Sequence, residues 1–213
     1  LSKGQVGSGL SDVTLSPVTL NVSATAYRPA VGVLGMTEMD LGSVREGGSF
    51  VVGALSVKND VAADAYSEKL NARLGVASGL VVKGSGAVSM LEAGATNATE
   101  LTVGLSGAGT AGLKSGTVRV DYETEGSGTS GLGVLGVGGQ TASVSGKVYR
   151  MAVGSVVGNV GFGAVREGET FAPVKLSVRN GANGDGYSDD LGVSLVAQRG
   201  VSVSGLVERL GAG

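Results

Sequence analysis

The sequence predicts an all-β protein made of antiparallel β-sandwich domains in tandem. Apolar and polar residues alternate with a period of two, glycine-rich turns divide the chain into short segments, and blocks of sequence return after 121 residues. Residues 44–50 return as residues 165–171, VREGGSF and VREGETF, and residues 55–59 return as residues 176–180. This period is that of a whole domain, because the repeats of solenoids run roughly 20–50 residues.

The alternation marks the individual strands. It is clearest in residues 101–105, 118–122 and 144–148, where apolar side chains alternate with polar residues or glycine. This is the pattern of a half-buried antiparallel strand. Residues 70–74 fit either a helix or a strand, and the neighbouring glycines favour a strand. We expect about seven to nine strands per repeat, and no amphipathic helix of roughly ten residues or more.

Glycine supplies the turns between these strands. The chain has 40 glycines in 213 residues, well above the usual share of about 7%. They cluster between the alternating segments, where residues with free backbone conformation are needed for tight turns. We expect the longest of these glycine-rich stretches, residues 126–139, to form a mobile loop.

The repeat also predicts the domain boundaries. Tyr27-Arg28 matches Tyr149-Arg150, and each pair ends a strand. Residues 1–28 are therefore predicted to be the terminal strands of a preceding repeat, residues 29–150 a complete repeat, and residues 151–213 the first half of a following repeat. A half-sandwich exposes an apolar sheet face and unpaired edges. We expect either a longer array around this chain or completion of the half by another chain.

The composition excludes several classes of function. With no cysteine and no histidine, the chain has no thiolate nucleophile, no Ser-His-Asp triad and no zinc site built from these residues. The net charge is −2, and the sequence has no cluster of basic residues that would indicate nucleic-acid binding. No apolar run is long enough for a transmembrane helix. We expect a protein that is not an enzyme and has no cofactor.

Residues 160–168, VGFGAVREG, are followed by an apolar strand and then by Arg179-Asn180. This pattern resembles the opening of the ASH-type immunoglobulin-like domains in bacterial "choice-of-anchor D" surface proteins. The first copy departs from it, with Leu41 in place of the phenylalanine. The resemblance implies a two-sheet immunoglobulin-like sandwich, a location outside the cell or in the bacterial envelope, and no catalytic residues shared by the family.

One acidic segment recurs and offers two interpretations. The side chains could cap turns, as Asn and Asp commonly do, which is the interpretation we favour. They could instead supply the several oxygens that calcium requires, although the spacing is not that of an EF-hand. The calcium candidates are Asn59, Asp64 and Glu68 in the first copy, and Asn180, Asp185 and Asp189 in the second.

Two further recurring pairs are interpreted structurally. Arg45-Glu46, like residues 166–167, is expected to form a local charge pair in an exposed turn. Tyr27 and Tyr149 are expected to pack between neighbouring domains, because aromatic side chains favour interfaces.

These observations together predict a structural or adhesive repeat region of a bacterial cell-surface or secreted protein: a spacer, a stalk or an adhesin. Its expected partners are neighbouring copies of the same domain, and other chains that pair through strand edges. One alternative is a self-assembling envelope subunit, a filament or surface layer, completed by strand exchange between chains. Another is a glycan-binding module, although few aromatic residues are present to form a sugar platform.

Overall fold

The computed structural model describes residue 7, residues 9–11 and residues 13–213. Within that part of the chain every regular element is a β-strand, as the alternation predicts. The strands are β1 (Gly32–Leu34), β2 (Glu38–Arg45), β3 (Gly53–Asn59), β4 (Lys69–Gly79), β5 (Val81–Lys83), β6 (Ala87–Leu91), β7 (Thr96–Leu105), β8 (Gly112–Glu125), β9 (Leu135–Tyr149), β10 (Gly154–Val157), β11 (Ser177–Asn180), β12 (Leu191–Ser194) and β13 (Leu206–Leu210).

Strands β1 to β9 form a sandwich of two sheets. One sheet has the order β1-β3-β7-β5, and the other has the order β2-β9-β8-β4-β6. Neighbours are antiparallel except for β2 and β9, which run parallel. Placing β1, β3 and β7 on one sheet and β4, β8 and β9 on the other gives the arrangement of strands A, B, E and C, F, G in immunoglobulin-like sandwiches.

Valine and leucine fill the space between the two sheets. Residues 101–105, 118–122 and 144–148 lie in β7, β8 and β9, where alternate side chains are buried, and residues 70–74 lie in β4. The aromatic Tyr122 is 3% exposed, and burial raises its pKa to about 12. The fully buried apolar side chains are Leu55, Val57, Leu70, Leu101, Val103, Val118, Val120, Ala142, Val144 and Val148.

The expected loop at residues 126–139 is shorter than predicted. Strand β9 begins at Leu135, and its first residues pair with β8, Leu135 with Thr124 and Gly139 with Asp121. Glycine predicts turns because its backbone adopts many conformations. The backbone N–H and C=O groups of glycine can nevertheless form the hydrogen bonds between paired strands, as those of any residue can. At residue 139 the ladder leaves no room for a Cβ atom, which would meet the carbonyl oxygen of Val120 at 2.5 Å.

Residues 151–213 form two short antiparallel ladders, β10 with β11 and β12 with β13. Their pairing repeats that of the sandwich: Gly154 opposes Asn180 as Gly32 opposes Asn59. Residues 159–166, the sequence counterparts of β2, form no strand in the structure. The second copy therefore has the same local strand pairing as the first, but it lacks the strand that corresponds to β2.

The described residues include no helix long and apolar enough to cross a membrane.

Candidate functional site

Two clusters of matching contacts recur among the described residues, and each is called a corner here. Each corner consists of two tyrosines, an arginine and an aspartate. The first corner comprises Tyr27, Arg28, Asp64 and Tyr66. Its two tyrosine rings lie with centroids 6.0 Å apart at 52°, and Nη1 of Arg28 contacts Oδ2 of Asp64 at 2.6 Å.

The second corner comprises Tyr149, Arg150, Asp185 and Tyr187. Its rings lie 6.0 Å apart at 49°, and Nη1 of Arg150 contacts both carboxylate oxygens of Asp185, at 2.7 and 2.6 Å. Tyr149, which ends β9, and Tyr27, which lies in no strand of the structure, therefore each pack against a tyrosine that follows in the chain. The two corners have similar geometry, and their members recur after 122 residues for the first tyrosine and the arginine and after 121 residues for the aspartate and the second tyrosine.

Backbone hydrogen bonds hold each corner. The N–H of Arg28 donates to the carbonyl of Tyr66 at 2.8 Å, and the N–H of Glu68 donates to the carbonyl of Arg28 at 3.0 Å. In the second corner Arg150 makes the same two bonds, to Tyr187 at 3.0 Å and from Asp189 at 2.9 Å. Each arginine thus forms a parallel bridge with the segment that carries its aspartate.

The aspartates of the corners organise the turns around them. Oδ1 of Asp64 accepts from the backbone N–H of Tyr66 at 2.9 Å, and Oδ1 of Asp185 accepts from that of Tyr187 at 3.0 Å. The Tyr66 N–H, more than the Arg28 guanidinium, holds the pKa of Asp64 below its ordinary value. For Asp185 the Arg150 guanidinium is the largest cause of the lowered pKa. The turn predicted for these residues is present in both copies.

A buried asparagine lies beside each corner. Nδ2 of Asn59 donates to the carbonyls of Glu68 and Leu91, both at 3.1 Å, and its Oδ1 accepts from Val31 N–H at 3.1 Å. The side chain is fully buried, and its amide satisfies backbone groups from three segments. An asparagine suits this position because one side chain carries both donors and acceptors.

Asn180 makes the three equivalent bonds in the second copy and also accepts from the N–H of Ala182 at 3.2 Å. It donates to the carbonyls of Asp189 and Leu210 at 3.1 Å and accepts from Val153 N–H at 3.1 Å. It is 1% exposed, although much of the apolar surface around it is open to solvent. This asparagine geometry therefore forms without a closed sandwich.

The second corner also connects the sandwich with residues 151–213. Nε of Arg45, the last residue of β2, contacts Oδ2 of Asp189 at 2.6 Å, and the N–H of Glu46 donates to the carbonyl of Tyr149 at 2.9 Å. The predicted local charge pair of Arg45 with Glu46 is therefore wrong. The Glu46 carboxylate accepts instead from the N–H of Ala111 at 2.7 Å.

The remaining calcium candidates have protein partners. Glu68 is 4% exposed; its Oε2 accepts from Oγ1 of Thr124 at 2.6 Å, and its Oε1 accepts from the hydroxyl of Ser130. Asp189 faces Arg45, and Asn59 uses its side chain on the backbone. Within the described ranges, no three acidic side chains come together in a way that could hold a metal ion. Calcium binding stays a prediction.

An apolar groove of 440 Å³ runs over the ladders of the second copy. No charged side chain lines it, so the groove offers no acid–base chemistry. Its lining includes Val156, Leu176, Val178, Leu191 and Val193.

The sequence predicted packing at a domain junction for Tyr27 and Tyr149 but not their tyrosine partners, and it predicted no partner for Arg28. The available signal was the repeat itself, because Tyr66 and Tyr187, like Asp64 and Asp185, occupy equivalent positions in the two copies.

No protein-family model matches the chain. No curated protein matches it either. Among solved structures, the chain is similar to the ASH / PapD-like domain of human CEP192 (PapD-like domain 7), at 9% sequence identity and a TM-score of 0.34. That comparison covers 65% of this chain and 99% of the other.

Proposed function

We propose that the chain is a non-catalytic structural or adhesive repeat region of a bacterial cell-surface or secreted protein, built from immunoglobulin-like sandwiches in tandem. The observation that carries this proposal is the recurrence of the corner. Tyr149 and Arg150 lead out of the sandwich and make the contacts that Tyr27 and Arg28 make where the chain leads into it.

The corner supports a spacer because it leaves no flexible linker. Strand β9 ends at Tyr149, the next residue already bridges Ser188, and β10 begins at Gly154. Flexible linkers between domains usually need several residues that make few contacts. The Arg45–Asp189 contact adds a second connection across the corner. An array joined in this way holds successive units in a fixed orientation.

The proposed location follows from the resemblance of residues 160–168 to domains of bacterial surface proteins. The absence of cysteine and histidine and the apolar groove without charged lining support a role that involves no catalysis.

Brief trypsin treatment of intact source cells tests this function. Exposed cleavage sites outside the strands include Arg166 and Arg199. We expect peptides of this chain in the supernatant, with a cytoplasmic marker protein left uncut. Release only after cell lysis would contradict a location at the surface.

One observation favours the second candidate, a subunit that assembles through strand exchange. Several apolar side chains of residues 151–213 are exposed where their counterparts in the sandwich are buried: Leu176 is 39% exposed, and Leu55 is 0% exposed. Exposed apolar faces of this kind commonly mark interaction sites.

A further inference from the structure

We propose that this chain associates head to tail, with residues 18–27 of one molecule pairing in parallel with residues 159–166 of another molecule. The inference rests on the proposed function, because it extends the order of units within the chain to the contact between chains. The partner is a second molecule of the same chain, and it is recognised by the addition of a strand to an open sheet.

The donor segment has the sequence pattern of β9. Leu20, Val22 and Ala26 occupy the positions of Ala142, Val144 and Val148, which are fully buried in the sandwich. In the structure Leu20 is 83% exposed and Val22 is 84% exposed. A segment patterned to lie in a core is thus presented to solvent.

The acceptor segment has the sequence pattern of β2. Met39 and Leu41 of β2 pack against the sandwich core. Their counterparts, Val160 and Phe162, are each 46% exposed.

The sandwich supplies the register for this contact. Strand β2 pairs in parallel with β9, with Met39 opposite Val144 and Val44 opposite Val148. Residue 160 is the counterpart of Met39 after an offset of 121, and residue 22 is the counterpart of Val144 after an offset of 122. The same pairing therefore places Val160 opposite Val22.

The same register places Val165 opposite Ala26. Tyr27 then faces Arg166, as Tyr149 faces Arg45 within the sandwich. Two unlike segments, both exposed, therefore match a pairing that this chain already makes.

Chain order fits as well. In a longer array the β9-type strand of each unit leads directly into the next corner, as Tyr149 leads into Arg150. A docked donor segment would lead into its own corner at Arg28, so copies would follow one another in the order that the repeats have. Residues 18–27 carry no charged side chain, so association should depend little on salt.

One position differs between the docked segment and β9. Ala24 stands where β9 has Gly146, and a Cβ atom at Gly146 would lie only 2.5 Å from Cε1 of Phe50. The counterpart ring, Phe171, is 53% exposed and packs edge-on against Phe162 at a centroid distance of 6.1 Å, so it would have to shift to admit the Cβ atom of Ala24. We therefore expect Ala24→Gly to strengthen association.

Sedimentation velocity across a range of concentrations tests the proposal on the full chain. We expect the mass to rise above the monomer value of 20.8 kDa as concentration increases. Val22→Asp blocks the donor and Val160→Asp blocks the acceptor, so each variant alone should stay monomeric. Asn21→Asp is the control: it adds the same charge next to Val22 at a position whose counterpart, Ser143, is exposed.

Mixing the two blocked variants gives the sharpest result. One keeps its acceptor and the other keeps its donor, so the mixture should form dimers that grow no further. The inference would be overturned if the unmodified chain stayed monomeric at every concentration. It would also be overturned if Val22→Asp and Val160→Asp each still associated. Circular dichroism of each variant shows whether the sandwich is intact, so a folding defect is not mistaken for blocked association.

The register has its own test, because the chain contains no cysteine. Val22→Cys in one copy and Val160→Cys in another should form a disulfide-linked dimer under mild oxidation. Val22→Cys with Val165→Cys is out of register and should give much less. Equal yields would contradict the parallel pairing. A chain that associates but is absent from the cell surface would overturn only the proposed function, and a monomeric chain at the surface would overturn only this inference.

Discussion

The two copies of the repeated sequence share their hydrogen bonds but not their burial. Asn59 and Asn180 bind equivalent backbone groups at equal distances and are 0% and 1% exposed. Phe50 is 8% exposed in the sandwich, whereas its counterpart Phe171 is 53% exposed. In the first copy, strands β7, β8 and β9 cover the part that corresponds to residues 151–213, and residues 151–213 have no such cover among the described residues.

This difference separates local from distant causes of structure. The partners of each asparagine lie within about 30 residues along the chain, so the repeat alone provides them. Burial of the phenylalanine needs strands contributed by a more distant part of the sequence. The asparagine bonds therefore need only nearby sequence, whereas hydrophobic burial, the dominant favourable term in folding, requires the second half of each unit.

The largest expected contrast is between the two asparagines. Asn59→Ala leaves the N–H of Val31 and the carbonyls of Glu68 and Leu91 without their side-chain partner, and each such loss costs up to about 1–3 kcal/mol where the group is buried. We expect the free energy of unfolding to fall by roughly 3 kcal/mol or more in urea titration.

The matched control is Asn180→Ala. It should leave the main unfolding transition in place and speed amide hydrogen exchange in β10, β11 and β13 only. An equal loss of stability from both variants would mean that the two copies unfold as one unit.

A second contrast concerns the core. Leu55→Ala empties a fully buried site and should cost about 2–5 kcal/mol. Leu176→Ala removes a side chain that is 39% exposed and should cost less than about 1 kcal/mol. Urea unfolding of both variants at low protein concentration checks this. A large effect of Leu176→Ala would show that this side chain is covered in solution.

A third contrast concerns two glycines at equivalent positions. A Cβ atom at Gly32 would overlap the buried ring of Tyr122, so Gly32→Ala should cost about 1–3 kcal/mol through overpacking. At Gly154 the nearest atom to such a Cβ is Cδ1 of Leu191 at 3.3 Å, on a half-buried side chain that can move. Gly154→Ala should therefore be close to neutral in thermal unfolding.

The smallest contrast concerns the acid response of the two corners. Because the pKa values of Asp64 and Asp185 are lowered by folding, the stability they contribute is present above the unfolded value, about 3.9, and is lost as pH falls through the folded pKa. Arg150→Gln should raise the pKa of Asp185 more than Arg28→Gln raises that of Asp64.

The reason is that the arginine is the largest cause only for Asp185. Carboxylate chemical shifts followed by NMR through acid titration measure both pKa values. Equal shifts in the two variants would contradict this ranking of causes.

The sequence predicted the strands well because alternation is a local property of each strand. It could not predict the Arg45–Asp189 contact, whose residues are 144 positions apart, and chain adjacency wrongly suggested Glu46 as the partner. Glu68 was grouped with calcium ligands because of its oxygens. Its buried bonds to Thr124 and Ser130 depend on how β4 meets β8 and the turn that follows, which no local pattern shows.

The parallel pairing of β2 with β9 has a consequence for a chain under tension. Glu38 begins β2 opposite Ser143, and Arg45 ends it opposite Tyr149. Pulling the start of β2 and the end of β9 apart therefore drags the two strands past each other along their length. The hydrogen bonds between them are loaded in shear and share the force, whereas an antiparallel hairpin pulled at its open end would unzip one bond at a time.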